Sequence, residues 1–163
     1  VVDGVRYDEL AAVKGFAQQQ FDAADLVARL AAMYRFRASA DFLALAAAAK
    51  RVRNILDQAR ERGETIDGAP PDLAVLQAAE ERELHEAIGI CQQQTAQARD
   101  SKRYEDALSA IAALRPAVDR FFDKILVMDP DQEKRRARLS MLAALEAQAT
   151  SVVDISQIVV EGK

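Results

Sequence analysis

The stretch "YEDALSAIAALRPAVDRFFDKILVM", residues 104–128, decides the fold. Its first half repeats apolar residues with helical spacing, at Tyr104, Ala107, Leu108, Ile111 and Leu114. That spacing predicts one buried face of a helix. Pro116 fits the first turn of a helix and not its interior, so a second helix is predicted to begin or kink there. Val118, Ile125 and at least one of Phe121 and Phe122 then continue the same core.

Helical spacing extends on both sides of this stretch. Towards the start, we predict a helix over 7–14 with Gly15 as its C-terminal cap, and a second helix capped by Asp22. A third helix is predicted to open at Ser39 or Asp41 and to close at Gly63.

Further helices are predicted after residue 70. A long helix should run from about Pro71 or Asp72 to about Arg99, and Asp100 or Ser101 should cap the helix that carries Tyr104. The stretch "DPDQ" at 129–132 predicts the start of a last helix, with Asp129 as N-cap and Pro130 at its first position.

The strongest break in the chain is "GETIDGAPPD", residues 63–72, which is typical of an exposed loop. No segment has the pattern of a strand, so the fold class predicted is an all-α antiparallel helical bundle. The predicted organisation is helices over 1–60, an exposed loop over 61–71 and a bundle over 72–163. One continuous domain over 1–163 is the alternative.

Composition restricts the class of function. The 163 residues are half apolar and contain one cysteine and no tryptophan, and the net charge is −4. An acidic chain does not grip nucleic acid by its overall charge, so such binding would need a local basic patch. Cys91 has no internal disulfide partner, which favours a reducing cytoplasm. No apolar run is long enough to span a membrane, so no membrane partner is expected.

Catalytic residues are scarce. His85 is the one histidine, and it lies in the charged stretch "EERELHEAIG", which is typical of a solvated helix face. Cys91 falls on an apolar stripe and is interpreted as a core residue rather than a nucleophile. We therefore predict no active site and no metal site in this chain.

Basic clusters are the stronger indication of function. In "KRVRN", residues 50–54, helical projection points Arg51 to solvent and places Lys50 and Asn54 on a flank, while Arg53 lies near the core edge. Arg53 is therefore either an RNA contact or a structural ion-pair partner. For Lys50, Arg51 and Asn54 the alternatives are RNA contacts and a plain solvated face.

Three more groups of basic residues extend the set of RNA-binding candidates. Arg135, Arg136 and Arg138 lie in the first turns of the last helix, where positive charge opposes the helix dipole and hints at use elsewhere. Arg136 projects outward, whereas the other two can lie over the core. Lys102 and Arg103 precede Tyr104, which could stack a base or pack in the core, and the ammonium of Lys124 is a candidate phosphate contact.

The chain resembles a known family through an ordered set of segments. These segments are "GVRYDEL" at 4–10, "LALAAAAKRVRNIL" at 43–56, "RYEDALSAIAALRPAVDRFFDKILVM" at 103–128, "RLSMLAAL" at 138–145 and "VVDIS" at 152–156. Their order and types resemble the C-terminal DALR-type anticodon-binding domain of the bacterial glycyl-tRNA synthetase beta subunit. Ala49 and Ala137 depart from the family, in which asparagine often stands at these places.

The resemblance implies a function as well as a fold. It implies a helical bundle that holds tRNA-Gly at its anticodon stem-loop, within a cytoplasmic ligase of alpha and beta subunits that uses ATP and magnesium. Catalysis would belong to the alpha subunit, and this chain would contact the remainder of the beta subunit. The alternative function is a structural or subunit-docking bundle without RNA affinity of its own.

Overall fold

The computed structural model of this chain describes residues 4, 6–19, 22–66 and 68–159. These residues form seven α-helices and one 3₁₀ helix: α1 (Tyr7–Gln19), α2 (Ala23–Phe36), α3 (Ala40–Glu61), α4 (Ala79–Asp100), α5 (Tyr104–Ala112), α6 (Arg115–Lys124), α7 (Gln132–Ala149) and η1 (Ile155–Gln157). The described residues contain no strand. The predicted all-α fold is therefore confirmed.

The stretch 104–128 lies in the core as its spacing predicts. Fully buried apolar side chains along it include Ala107, Leu108, Ile111, Val118 and Phe121. Pro116 lies in the first turn of α6, where the missing N–H breaks no helical hydrogen bond. Both α5 and α6 pack against α4, which makes α4 the centre of this half of the bundle.

Side-chain contacts show how the long helices are arranged. Arg53, near the middle of α3, pairs with Glu146 near the end of α7. Glu64, just past the end of α3, pairs with Arg135 near the start of α7. The helices α3 and α7 therefore run antiparallel. Glu81 at the start of α4 meets Arg138, which places the starts of α4 and α7 at the same end. We call it the α7-start end.

Several helix ends agree with the sequence. Ser39 caps α3, since its Oγ accepts a hydrogen bond from the Phe42 N–H at 3.5 Å, and Asp22 caps α2 through the N–H groups of Ala24 and Asp25. Gly63 follows α3 with a φ of +85°, a left-handed conformation in which glycine has no Cβ strain.

The predicted ends of α1 and α4 were wrong. The helix α1 passes through Gly15 and ends at Gln19. Asp72 does not open α4, because its Oδ1 accepts from the Ala74 N–H at 2.9 Å in a separate turn. Instead α4 begins after Ala78, whose N–H donates to Glu81 Oε2 at 2.9 Å.

The predicted caps of α5 and α7 were also wrong. Since α4 continues through Asp100, the N-cap position of α5 falls on Arg103, which provides no side-chain cap. For α7 the cap is Asp131, whose Oδ1 accepts from the Glu133 N–H at 2.9 Å. Asp129 accepts from the Asp131 N–H instead, which orders the turn before the helix.

Candidate nucleic-acid interface

The outer face of α3 presents three of the predicted RNA-binding residues together. Lys50, Arg51 and Asn54 are all exposed. The opposite side of α3 buries Phe42, Leu45, Ala46, Ala49, Val52, Leu56 and Ala59. At about 100° per residue, the three polar side chains fall within about 100° of one another around the helix. We call these three residues the α3 outer face.

Arg51 is held in place by an aromatic ring. Its guanidinium carbon lies 4.2 Å from the centroid of the Phe122 ring on α6. Phe122 in turn meets the fully buried Phe121 edge to face, with 5.6 Å between ring centroids. The stacking favours the cation and restricts its side chain. No salt bridge joins Arg51 to a carboxylate of the described residues, which leaves its charge available to an anion.

Arg53, two residues further on, is a structural residue. Its Nη1 and Nη2 each donate to Asp154 at 3.1 Å, and its Nε donates to Glu146 at 3.3 Å. Burial lowers the pKa of the Arg53 guanidinium, but these carboxylates outweigh it and raise that pKa overall. Arg53 therefore ties α3 to α7 and to the segment around η1, which is the structural alternative that the sequence left open.

Arg138 is buried at the α7-start end, where it is hydrogen-bonded to other parts of the chain. Only 8% of the residue is exposed. Its Nε donates to Glu81 at 2.7 Å, and its Nη1 donates to Asp129 Oδ2 at 2.7 Å and to the Leu126 carbonyl at 2.8 Å. Burial lowers the pKa of the guanidinium, and the two carboxylates more than restore it. Arg138 joins α4, α7 and the loop between α6 and α7.

Arg135, like Arg138, is bound by acceptors of the chain, whereas the Arg136 side chain lies on the surface of α7. Arg135 donates to Glu64 at 2.6 Å and to the Asp129 carbonyl at 2.7 Å. Arg136 is exposed and borders a cavity of about 250 Å³ between the start of α7 and the loop 69–72. The unfavourable charge at this helix start is thus explained for Arg135 and Arg138 by their carboxylate partners.

The remaining cationic candidates lie on elements other than α3. Lys124 follows Phe122 by two residues, or about 200° around α6, so it lies on the flank opposite α3. Lys102 pairs with Asp22 at 3.3 Å and Arg103 with Asp106 at 2.8 Å. Both follow the 22-residue α4, whose length of about 33 Å separates them from the α7-start end.

Packing accounts for Tyr104 and Cys91, two of the three side chains with reactive groups, whereas His85 is only partly buried and not on the fully solvated face that the sequence predicted. The Tyr104 ring is buried under the Arg29 guanidinium, and its hydroxyl donates to Asp25. Burial raises the pKa of the Cys91 thiol to about 11, which keeps it protonated. His85 is partly buried beside a cavity of about 260 Å³ under the loop 68–71. Core packing is confirmed for Tyr104 and Cys91.

Comparison with known proteins identifies the bundle. The profile of the DALR anticodon binding domain matches residues 45–158, which is most of the chain.

This chain belongs to the DALR anticodon binding domain family.

The matched region begins within α3 and includes Lys50, Arg51 and Asn54 together with α4 to α7 and η1.

Individual relatives share one description. The chain is 40% identical to the glycine–tRNA ligase beta subunit of Acidobacterium capsulatum over 96% of its length, and 36% identical to that of Magnetococcus marinus over 99%. It is 41% identical to that of Vibrio cholerae over 82%. The matches cover 22%, 23% and 19% of those proteins. The chain spans about a fifth of the length of these relatives.

None of the helices among the described residues is long and apolar enough to cross a membrane.

Proposed function

We propose that this chain is the anticodon-binding part of a glycine–tRNA ligase beta subunit and holds tRNA-Gly near its anticodon through the α3 outer face. One observation carries the proposal: in a chain matched by the anticodon binding profile, Lys50, Arg51 and Asn54 lie exposed on one helix face, with Arg51 stacked on Phe122. Five other cationic candidates are held by carboxylates of the chain.

Each residue of this face suits a part of an RNA hairpin. The ammonium of Lys50 and the guanidinium of Arg51 attract backbone phosphates, and the guanidinium can also stack on an unpaired base. The Asn54 amide offers both a donor and an acceptor to a base edge or a ribose hydroxyl. Because Phe122 already restricts Arg51, less side-chain entropy is lost when RNA binds.

The rest of the reaction lies outside this chain in our proposal. The alpha subunit would join glycine to tRNA with ATP and magnesium in the cytoplasm, and this chain would position the tRNA for it. Arg136 and Lys124, near the α7-start end, would add long-range attraction to the arm. The net charge of −4 makes the local face, and not the whole chain, the source of attraction.

The proposal is tested by fluorescence anisotropy with a labelled tRNA-Gly anticodon stem-loop, titrated with the chain at several salt concentrations. Lys50→Ala/Arg51→Ala should weaken binding by about tenfold and lower the salt dependence by about 1.5 in the log–log slope, since two phosphate contacts are lost. Asn54→Ala should mainly reduce the preference over a hairpin with a scrambled anticodon.

The matched control is Lys102→Ala/Arg103→Ala, which removes the same net charge at the far end of α4. It should change the affinity by less than about twofold. Equal losses in the two double variants would show that only overall charge matters. Absence of salt-sensitive binding in the unmodified chain would favour the alternative, a docking bundle without RNA affinity.

A further inference from the structure

The first turn of α1 buries two carboxylates and exposes two large apolar side chains. Asp8 and Glu9 are only 2% and 3% exposed, whereas Tyr7 is 73% and Leu10 53% exposed. A surface helix normally buries its apolar face and exposes its charges. Although Ala12 and Val13 of α1 are buried, its first turn leaves Tyr7 and Leu10 uncovered by the described residues.

Specific contacts fix this orientation. Glu9 Oε1 accepts from Arg37 at 2.9 Å, and its Oε2 accepts from the Arg6 N–H at 2.9 Å. Asp8 Oδ2 accepts from the Val159 N–H at 2.9 Å. Turning α1 to bury Tyr7 and Leu10 would break these bonds and leave the charges unpaired, which is costly in a buried site.

The neighbouring helix α2 also carries large apolar side chains that are exposed. Val27 and Tyr34, two turns apart on α2, are 51% and 45% exposed. The Arg37 guanidinium lies 4.0 Å from the centroid of the Tyr34 ring and also binds Glu9, so Tyr34 lies beside the start of α1. We call Tyr7, Leu10, Val27 and Tyr34 the hairpin face.

The length of the related proteins indicates what covers the hairpin face. The anticodon binding profile begins at residue 45, so α1 and α2 lie outside the matched domain. The likeness to glycine–tRNA ligase beta subunits nevertheless covers up to 99% of the chain, and those proteins are more than four times as long. Helices α1 and α2 therefore have counterparts in long polypeptides that contain much more surface than this chain.

We propose that the hairpin face docks this domain on an apolar surface of another region of the same beta-subunit polypeptide. Four large apolar side chains on two adjacent helices suit the apolar centre of such an interface, and Arg37 suits its rim. The inference rests on the proposed function, because it takes the chain as part of a beta subunit. The two proposals concern different surfaces, because docking through the hairpin face leaves the α3 outer face open to RNA.

The test is hydroxyl-radical footprinting of the full-length beta subunit without RNA or alpha subunit, with the urea-unfolded polypeptide as reference. Tyr7, Leu10 and Tyr34 should be protected about tenfold, because an interface core excludes water. Leu73 and Leu126, which lie in loops and are 61% and 65% exposed, serve as internal controls and should show less than about threefold protection.

Two outcomes would overturn the inference. Labelling of the hairpin face as strong as that of Leu73 and Leu126 would show that nothing covers it. Protection that needs added alpha subunit, or that grows with beta-subunit concentration, would assign the face to a different partner or to a second copy.

Variants separate this inference from the proposed function. Leu10→Lys/Tyr34→Lys changes exposed positions, so the domain should fold, and it should raise the labelling of Tyr7 about tenfold by opening the interface. Binding of the anticodon stem-loop should stay within about twofold. Conversely, Lys50→Ala/Arg51→Ala should lose RNA affinity and leave the footprint unchanged. Failure of only one of these two results identifies which proposal is wrong.

Discussion

Arg138 and Glu81 form the most buried ion pair among the described residues. A charge in such a position is stable only while its partners remain, because burial removes its hydration. Asp129 and the Leu126 carbonyl complete the set of acceptors around the guanidinium. This single side chain therefore holds the start of α7 against the start of α4.

Replacing Arg138 by alanine should lower the free energy of unfolding by about 3–5 kcal/mol, since the buried charge of Glu81 would be left without a cationic partner. Urea denaturation followed by circular dichroism measures the effect. The matched control is Arg82→Ala, which removes an exposed arginine of α4 and should change stability by less than about 0.5 kcal/mol. Similar midpoints for the two variants would show that the ion pair contributes little.

Cys91 should be unreactive in the folded chain. Its pKa is about 11 and it is 2% exposed, so only about one thiol in a thousand is ionised at pH 8. Ellman's reagent should therefore react with Cys91 only when the chain unfolds, and urea should restore an ordinary rate. Rapid reaction in the native chain would contradict the burial described here.

At the scale of single residues, the sequence predicted the direction in which a side chain leaves its helix. Helical projection correctly pointed Arg51 outward and placed Arg53 near the core edge. It could not predict that Arg51 stacks on Phe122, because the two residues are far apart in sequence and no local pattern links them. It also could not choose between an RNA contact and a position over the core for Arg135 and Arg138, since Glu64 and Glu81, which bind them, lie in distant segments.

At the scale of elements, the start of α7 depends on Asp131. Its Oδ1 accepts from the N–H groups of Glu133 and Lys134, at 2.9 and 3.3 Å. Asp131→Ala should lower the free energy of unfolding by about 1 kcal/mol, because these N–H groups lose their partner. Asp131→Asn retains an acceptor and should cost less, which thermal denaturation can measure. An equal loss in both variants would point to the charge and not the cap.

The existence of the helices was predictable, and several of their ends were not. Apolar spacing defines a helix over many residues, whereas an end depends on one or two hydrogen bonds. At "DPDQ" both Asp129 and Asp131 have the chemistry of a cap. Arg138, which binds Asp129, decides between them through a tertiary contact. The start of α4 was misplaced for a local reason, since Asp72 caps a separate turn through the Ala74 N–H.

At the scale of the whole molecule, carboxylates with lowered pKa values make the fold sensitive to acid. Hydrogen bonds from the Asp25 N–H and from Lys102 lower the pKa of Asp22 below its usual 3.8. The Asp131 N–H and Arg138 do the same for Asp129, and Arg120 lowers the pKa of Glu83. The unfolded chain therefore binds protons at a higher pH than the folded chain does.

The sign of the pH dependence follows from these shifts. The stability contributed by these groups is fully present above their unfolded pKa values, near 3.8 for aspartate and 4.5 for glutamate, and is lost as the pH falls through the lower native values. Thermal midpoints should be constant from pH 7 to about 5 and decrease below about 4. A decrease already between pH 7 and 5 would contradict this account.

The fold as a whole was more predictable than the interface. The apolar periodicity of 104–128 and α3 implies an all-α core by itself. An interface, however, depends on which charges remain after the fold has paired the others, and that selection requires the arrangement of all the helices. In this bundle carboxylates pair with Lys102 and Arg103, whereas no salt bridge joins Arg51 to a carboxylate of the described residues.

The most direct test of the central proposal is to map the RNA contact by NMR. An ¹⁵N-labelled sample of the chain would be titrated with the tRNA-Gly anticodon stem-loop, and amide shift changes would be followed residue by residue. We predict that the largest changes cluster in α3 around Lys50, Arg51 and Asn54 and at Phe122. Changes centred on Lys102 and Arg103, or none at low salt, would contradict the proposed interface.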